Sequence, residues 1–146
     1  MNIIFLDIDG VLNCRYTKER YNGFIGIDEN ILSKFKRIFD ETDARIVLSS
    51  TWRLMKGNID YLKEEKKLDI IDITPNLFEG PDKCNQRKDR GYEIQDWLDR
   101  HLEVKNYLIL DDDSDMLPGQ NFFKTNIDTG ITEEIIEKVI KHFKGL

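Results

Sequence analysis

Short apolar runs alternate with amphipathic stretches along this chain, and that alternation is typical of an α/β fold with a parallel sheet. The first run, at 3–6, is apolar at every position. A strand of this kind is expected at the centre of a sheet, where helices cover both faces. The other predicted strands are at 46–48, 70–73, 107–110 and 122–125. The pattern therefore predicts an α/β fold with a mainly parallel sheet.

The amphipathic stretches between these runs predict the helices. Asp28 is suited to cap the first helix through its side chain. Ile27 and Leu32 on either side of it have the spacing of a hydrophobic staple. The apolar face of this helix extends to Phe39. Further helices are predicted over 58–66, over 91–102 with Leu102 on the apolar side, and from Thr132 to a stop at Gly145, with a loop over 74–89.

The composition fits a single domain over residues 1–146, and 40% hydrophobic residues are enough to bury a core. The net charge of -6 argues against loose binding of nucleic acid, which needs a basic surface, but is compatible with a local site for one phosphate. No apolar run approaches the roughly 20 residues of a membrane span. The chain start lacks the features of a signal peptide, and Cys14 and Cys84 are far apart in sequence. We therefore expect a cytoplasmic protein with reduced thiols and no membrane partner.

Polar side chains follow three of the predicted strands, at the point where each strand ends. They are Asp7 and Asp9 after the first run, Ser49 and Ser50 after the second, and Asp111, Asp112 and Asp113 after the fourth, with Asp115 close behind. Ligands bind outside the carboxyl ends of parallel strands, so these groups are expected to converge. Packed carboxylates repel one another unless a cation joins them, and Mg²⁺ is the usual one beside phosphate. A turn, a solvated loop or a helix cap explains each motif alone, but not their joint occurrence.

The spacing of Asp7 and Asp9 has a chemical use. Residues two apart on an extended segment point the same way, and a turn at Gly10 would bring both side chains to one ligand. One carboxylate can then attack phosphorus while the other gives a proton to the leaving oxygen.

The segment Asp7-Ile8-Asp9-Gly10-Val11-Leu12, directly after a strand, resembles the first motif of the haloacid dehalogenase (HAD) superfamily of phosphotransferases. The resemblance extends from residue 3 to about residue 132 and implies a Rossmann-like three-layer sandwich. It also implies that Asp7 forms an aspartyl-phosphate and that Asp9 is the general acid and base. The Asp7 carboxylate and the Asp9 backbone oxygen would be ligands of Mg²⁺.

The same resemblance assigns the groups that hold the phosphoryl oxygens. Ser49 matches the second motif, with Ser50 as the next choice, and Arg53 and Gly10 are expected to contact the substrate. For the basic third motif we choose Lys88, which resembles the lysine of a phage polynucleotide phosphatase, with Arg90 as the alternative. In the acidic fourth motif, Asp112 is the expected metal ligand and Asp111 is expected to orient the third-motif cation, with Asp111 as a second candidate ligand and no role assigned to Asp115.

No segment between the predicted elements is long enough for a cap domain that would close over a small substrate. The segments 49–53 and 90–98 also resemble the phosphatase-like domains of nucleic-acid repair proteins. Trp52 is expected either to stack on a base or to pack against a neighbouring helix. Trp97 is expected in the core, and the two histidines are given no chemistry.

The sequence thus predicts a Mg²⁺-dependent phosphomonoester hydrolase whose substrate is a nucleotide or a nucleic-acid end. Two alternatives stay open at this point. One is a non-catalytic module that binds phosphate or nucleic acid on the same fold, and the other is transfer of the phosphoryl group to an acceptor other than water. The first half-reaction of transfer is the same as that of hydrolysis.

Overall fold

A computed structural model of the protein describes residues 1–77 and 89–145. Its strands are β1 (Asn2–Leu6), β2 (Arg20–Tyr21), β3 (Phe24–Ile25), β4 (Arg45–Leu48), β5 (Ile70–Ile73), β6 (Asn106–Asp111) and β7 (Phe122–Lys124). Five of them form a parallel sheet in the order β5-β4-β1-β6-β7. The five strands predicted from the apolar runs are confirmed, and β1 lies at the centre as expected.

Helices cover both faces of this sheet. They are α1 (Glu29–Phe35), α2 (Arg37–Glu41), α3 (Lys56–Asp60), which continues into a π-helical turn over Tyr61–Glu65, α4 (Arg90–Asp99) and α5 (Glu133–Lys144), with a 3₁₀ turn over Thr51–Leu54. Successive β1 side chains enter opposite layers of the core. Ile4 packs in the layer with α1 and α5, whereas Phe5 packs in the other layer against Trp97 of α4. The fold is therefore a Rossmann-like α/β sandwich with no cap domain among the described residues, and Trp97 is in the core as predicted.

Helix ends follow the predicted capping at three points. The Asp28 carboxylate accepts hydrogen bonds from the first turn of α1, and the Thr132 hydroxyl does the same for α5. Gly145 ends α5 with a φ of 72°, a conformation that glycine adopts without strain. Two other bounds were predicted wrongly. The first helix is divided at Lys36, and α4 ends before Leu102, whose side chain is 88% exposed rather than on an apolar face.

A small antiparallel hairpin, β2 and β3, was not predicted from the sequence. Its turn residues, Asn22 and Gly23, have φ angles of 51° and 83°. Positive φ at both central residues is the geometry of a two-residue hairpin turn, for which Asn-Gly is the strongest sequence signal. That signal was present, but flanking strands of two residues are too short to show a hydrophobic alternation.

In the described ranges no helix is long and apolar enough to cross a membrane.

Candidate active site

The site lies at the carboxyl edge of the two central strands. The backbone N–H of Asp7 donates to the carbonyl of Leu110 at 3.0 Å, which extends the β1–β6 ladder by one hydrogen bond beyond β1. This register sets Asp7 beside Asp111 and Asp112. One carboxylate oxygen from each of these aspartates lies within 4.8 Å of the others. The expected convergence of the β1 and β6 ends is therefore present in the fold.

Arg90 at the start of α4 joins two of these carboxylates. Its Nη1 lies 3.1 Å from Asp7 Oδ1 and 2.7 Å from Asp111 Oδ2. Asp115 holds the start of this helix, because its carboxylate accepts from the Arg90 backbone N–H at 3.1 Å. The buried Nε of Arg90 has no hydrogen-bond partner among the described residues. Lys88, our first choice for this cation, lies outside the described residues.

The cluster is electrostatically unfavourable as it stands. Burial, and then the nearby Asp111 carboxylate, raise the pKa of Asp7 to about 8, and Arg90 only partly opposes them. Burial and Asp111 also raise the pKa of Asp112. The pKa of Arg90 is raised because its attraction to Asp7 and Asp111 outweighs its burial. One arginine thus leaves these carboxylates short of positive charge, and the all-oxygen donor set fits a hard divalent cation such as Mg²⁺.

Asp9 is exposed, yet hydrogen bonds hold both of its carboxylate oxygens. Oδ1 accepts from the side-chain amide of Asn13 at 2.9 Å, and Oδ2 accepts from the indole N–H of Trp52 at 3.3 Å. Asn13 is buried, and it also accepts from the backbone N–H of Gly10 and donates to the carbonyl of Gly26. Sequence reasoning missed Asn13. Its position six residues after Asp7 is a local signal only once the turn at Gly10 is known.

Gly10 contributes to the site by having no side chain. Its φ is +82°, and a Cβ there would lie 2.3 Å from Oδ2 of Asp112. The Thr125 hydroxyl, behind the turn, donates to the Gly10 carbonyl at 2.6 Å. The turn can therefore approach the acidic cluster only because residue 10 is glycine.

The two serines after β4 have different environments. The Ser50 side chain accepts from the backbone N–H of Trp52 at 3.1 Å and thereby caps the 3₁₀ turn. The Ser49 hydroxyl is fully buried and has no hydrogen-bond partner within residues 1–77 or 89–145. An unpaired buried hydroxyl beside a carboxylate cluster is available to a ligand, so the geometry favours Ser49 over Ser50 as the phosphate-binding serine.

Arg53 requires a correction, because its guanidinium is used inside the protein. It donates to the carboxylate of Glu93 at 2.9 Å and to carbonyls of residues 49, 50, 74 and 75 at 2.8–3.4 Å. These bonds occupy the five N–H groups of an arginine. The predicted contact between Arg53 and phosphate is therefore replaced by a structural role that ties the Ser49 turn to β5 and α4. Trp52 is likewise mostly buried: it belongs to the core cluster that includes helical side chains, and its ring stacks on Tyr21 of the hairpin.

Comparison with known proteins gives one informative result. Neither the curated proteins nor the solved structures include a significant match to this chain. A family described as the HAD domain in Swiss Army Knife RNA repair proteins matches residues 3–136, which is most of the sequence and includes every site residue described above. The chain belongs to this family of HAD domains.

Proposed function

We propose that this protein is a Mg²⁺-dependent phosphatase that hydrolyses phosphate monoesters through a phosphoryl group carried on Asp7. The observation that carries the proposal is the group of three carboxylates at the carboxyl edge of β1 and β6, which have one oxygen each within 4.8 Å of the others and two of which pair with Arg90. The HAD family supports phosphatase chemistry in general.

In the first step, a carboxylate oxygen of Asp7 attacks phosphorus opposite the ester oxygen. The bond between phosphorus and the ester oxygen breaks, and the protonated Asp9 gives its proton to the leaving alcohol. In the second step, water attacks phosphorus while Asp9, now a carboxylate, takes its proton. The bond between phosphorus and Asp7 then breaks, inorganic phosphate leaves, and both aspartates return to their starting state.

The remaining groups would stabilise the negative charge on the phosphoryl oxygens. The Ser49 hydroxyl and the Arg90 guanidinium would donate to these oxygens. The carboxylates of Asp7 and Asp112 and the backbone oxygen of Asp9 would hold Mg²⁺, while Asp111 orients Arg90. When bound, the metal neutralises the carboxylates and the phosphoryl oxygens.

The proposed substrate is a phosphorylated nucleic-acid end. The family to which the chain belongs is a HAD domain found in RNA repair proteins. No inserted domain covers the strand edge in the described part of this chain, which leaves room for a polymer end.

The substitution Asp7→Asn tests the proposal, because an amide cannot attack phosphorus as a carboxylate does. We expect it to abolish Mg²⁺-dependent release of phosphate from para-nitrophenyl phosphate, with no loss of folded protein by circular dichroism. Asp113→Asn is the matched control, since Asp113 is a neighbouring but exposed aspartate outside the cluster. Undiminished turnover by the Asp7 variant would refute the mechanism.

A further inference from the structure

A pocket of about 430 Å³ opens beside Asp9, between the β2–β3 hairpin and the segment that follows β4. Tyr21, Trp52 and Asp9 all line it. Phe24 and Met55 also line it. The mechanism proposed above uses Asp9 from this pocket but gives the rest of the pocket no role.

The aromatic wall of this pocket is preorganised by ring stacking within the protein. The rings of Tyr61, Tyr21 and Trp52 stack in sequence, with centroids 4.0 Å and 5.6 Å apart and planes within 21° of parallel. The Tyr21 hydroxyl also donates to the carbonyl of Gly57 at 3.3 Å. The hairpin is thereby fixed to α3, so binding in the pocket does not require the hairpin to be ordered first.

Two large apolar side chains that line the pocket are exposed to solvent. Phe24 is 76% exposed and Met55 is 62% exposed. Exposed apolar groups that share one concave surface indicate a ligand-binding site more than scattered ones do. An aromatic ring and a thioether that line one pocket can both make contact with a planar ring.

The other lining groups define the chemistry of the occupant. Among residues 1–77 and 89–145, no lysine or arginine lines the pocket, so the described lining does not favour a second phosphate. Asn22 and Asn58 also line it, and neither side-chain amide bonds to another described residue. Amides of this kind can pair with the donor and acceptor edge of a nucleobase.

We infer that this pocket binds the terminal nucleoside of the substrate, with its base stacked on Phe24 and Met55. The inference deepens the proposed function and rests on it, because the leaving oxygen of a phosphate monoester must meet Asp9. Asp9 lies both at the site and in the pocket, so the alcohol side of the ester is directed into the pocket. The part of the leaving group that enters the pocket is then the uncharged sugar and base of the terminal nucleoside.

Binding to the inert Asp7→Asn protein in the presence of Mg²⁺ tests this without turnover. Titration calorimetry would compare adenosine monophosphate, phosphorylated on its 3′ or its 5′ oxygen, with the corresponding ribose phosphate, which lacks only the base. We expect the better of the two nucleotides to bind about tenfold more tightly than its ribose phosphate, as one base stacked on an aromatic ring provides. Phe24→Ala should abolish most of this difference in affinity between the nucleotide and the ribose phosphate. Tyr16→Ala is the matched control, since Tyr16 is 73% exposed but does not line the pocket, and it should preserve the difference.

The possible outcomes separate the two claims. Equal affinity for nucleotide and ribose phosphate, equal effects of the two alanine variants, or equally tight binding of phosphotyrosine would each overturn the nucleoside assignment. A base-dependent affinity in a protein that hydrolyses no phosphate ester would preserve the assignment and refute the proposed function. Turnover without any base-dependent affinity would refute the nucleoside assignment and preserve the proposed function.

Discussion

Asp9 is the exposed carboxylate of the site, and hydrogen bonds rather than burial fix its side chain. Asn13 holds one oxygen, and the other bonds of Asn13, to Gly10 and Gly26, prevent its amide from turning. A proton donor held in this way meets the leaving oxygen in one orientation. Asn13 therefore acts through Asp9, as a positioning residue.

The substitution Asn13→Ala should weaken proton transfer more than binding. We expect kcat for phenyl phosphate to fall by about tenfold to a hundredfold, because a positioned general acid contributes roughly a hundredfold or more. The fall for para-nitrophenyl phosphate should be much smaller, since its leaving group needs little protonation and the two esters share a ring. Steady-state kinetics on both esters provide the measurement. Equal losses on both would mean that Asn13 only supports the fold of the turn.

At the scale of secondary-structure elements, the sheet could be predicted because β1 is buried on both faces and reads as continuous apolar sequence. The same argument located Asp7, Ser49 and Asp111, since the strand ends determine which side chains converge. It could not locate the distant partners of Arg53, which come from residues 74, 75 and 93. An arginine after a strand looks the same in sequence whether it faces a phosphate or buried carbonyls.

The buried pair of Arg53 and Glu93 should therefore contribute to stability far more than an exposed pair does. Arg45 and Asp69 form a matched control, since that pair has the same N–O distance of 2.9 Å but is solvent-exposed. We expect Arg53→Ala to lower the free energy of unfolding by about 3–5 kcal/mol, because it leaves a buried carboxylate and several carbonyls unpaired. Arg45→Ala should lower it far less, because water screens an exposed ion pair. Urea denaturation of both variants measures the difference, and equal losses would contradict the structural role of Arg53.

At the scale of the whole molecule, the acidic cluster links folding to pH. Burial and Asp111 favour the neutral form of Asp7 in the folded chain, so its pKa rises from 3.8 to about 8. Between these values the unfolded chain releases a proton that the folded chain keeps. The free energy of unfolding consequently falls as the pH rises through this window. A site adapted to a cation is thus a source of instability when no cation is bound.

Replacing Asp7 with Asn should remove this pH dependence, because an amide never ionises. In EDTA we expect the free energy of unfolding of Asp7→Asn to exceed that of the wild type by a margin that grows between pH 5 and pH 8, by up to about 4 kcal/mol. Mg²⁺ should reduce the margin at pH 8, since it binds the ionised wild-type cluster more tightly than the amide variant. Chemical denaturation at pH 5 and pH 8, in EDTA and in Mg²⁺, measures the margin under each condition, and Asp113→Asn is the exposed control. A margin that is independent of pH would show that Asp7 is already ionised in the metal-free fold. Arg90 would then compensate for the acidic cluster without the help of a metal.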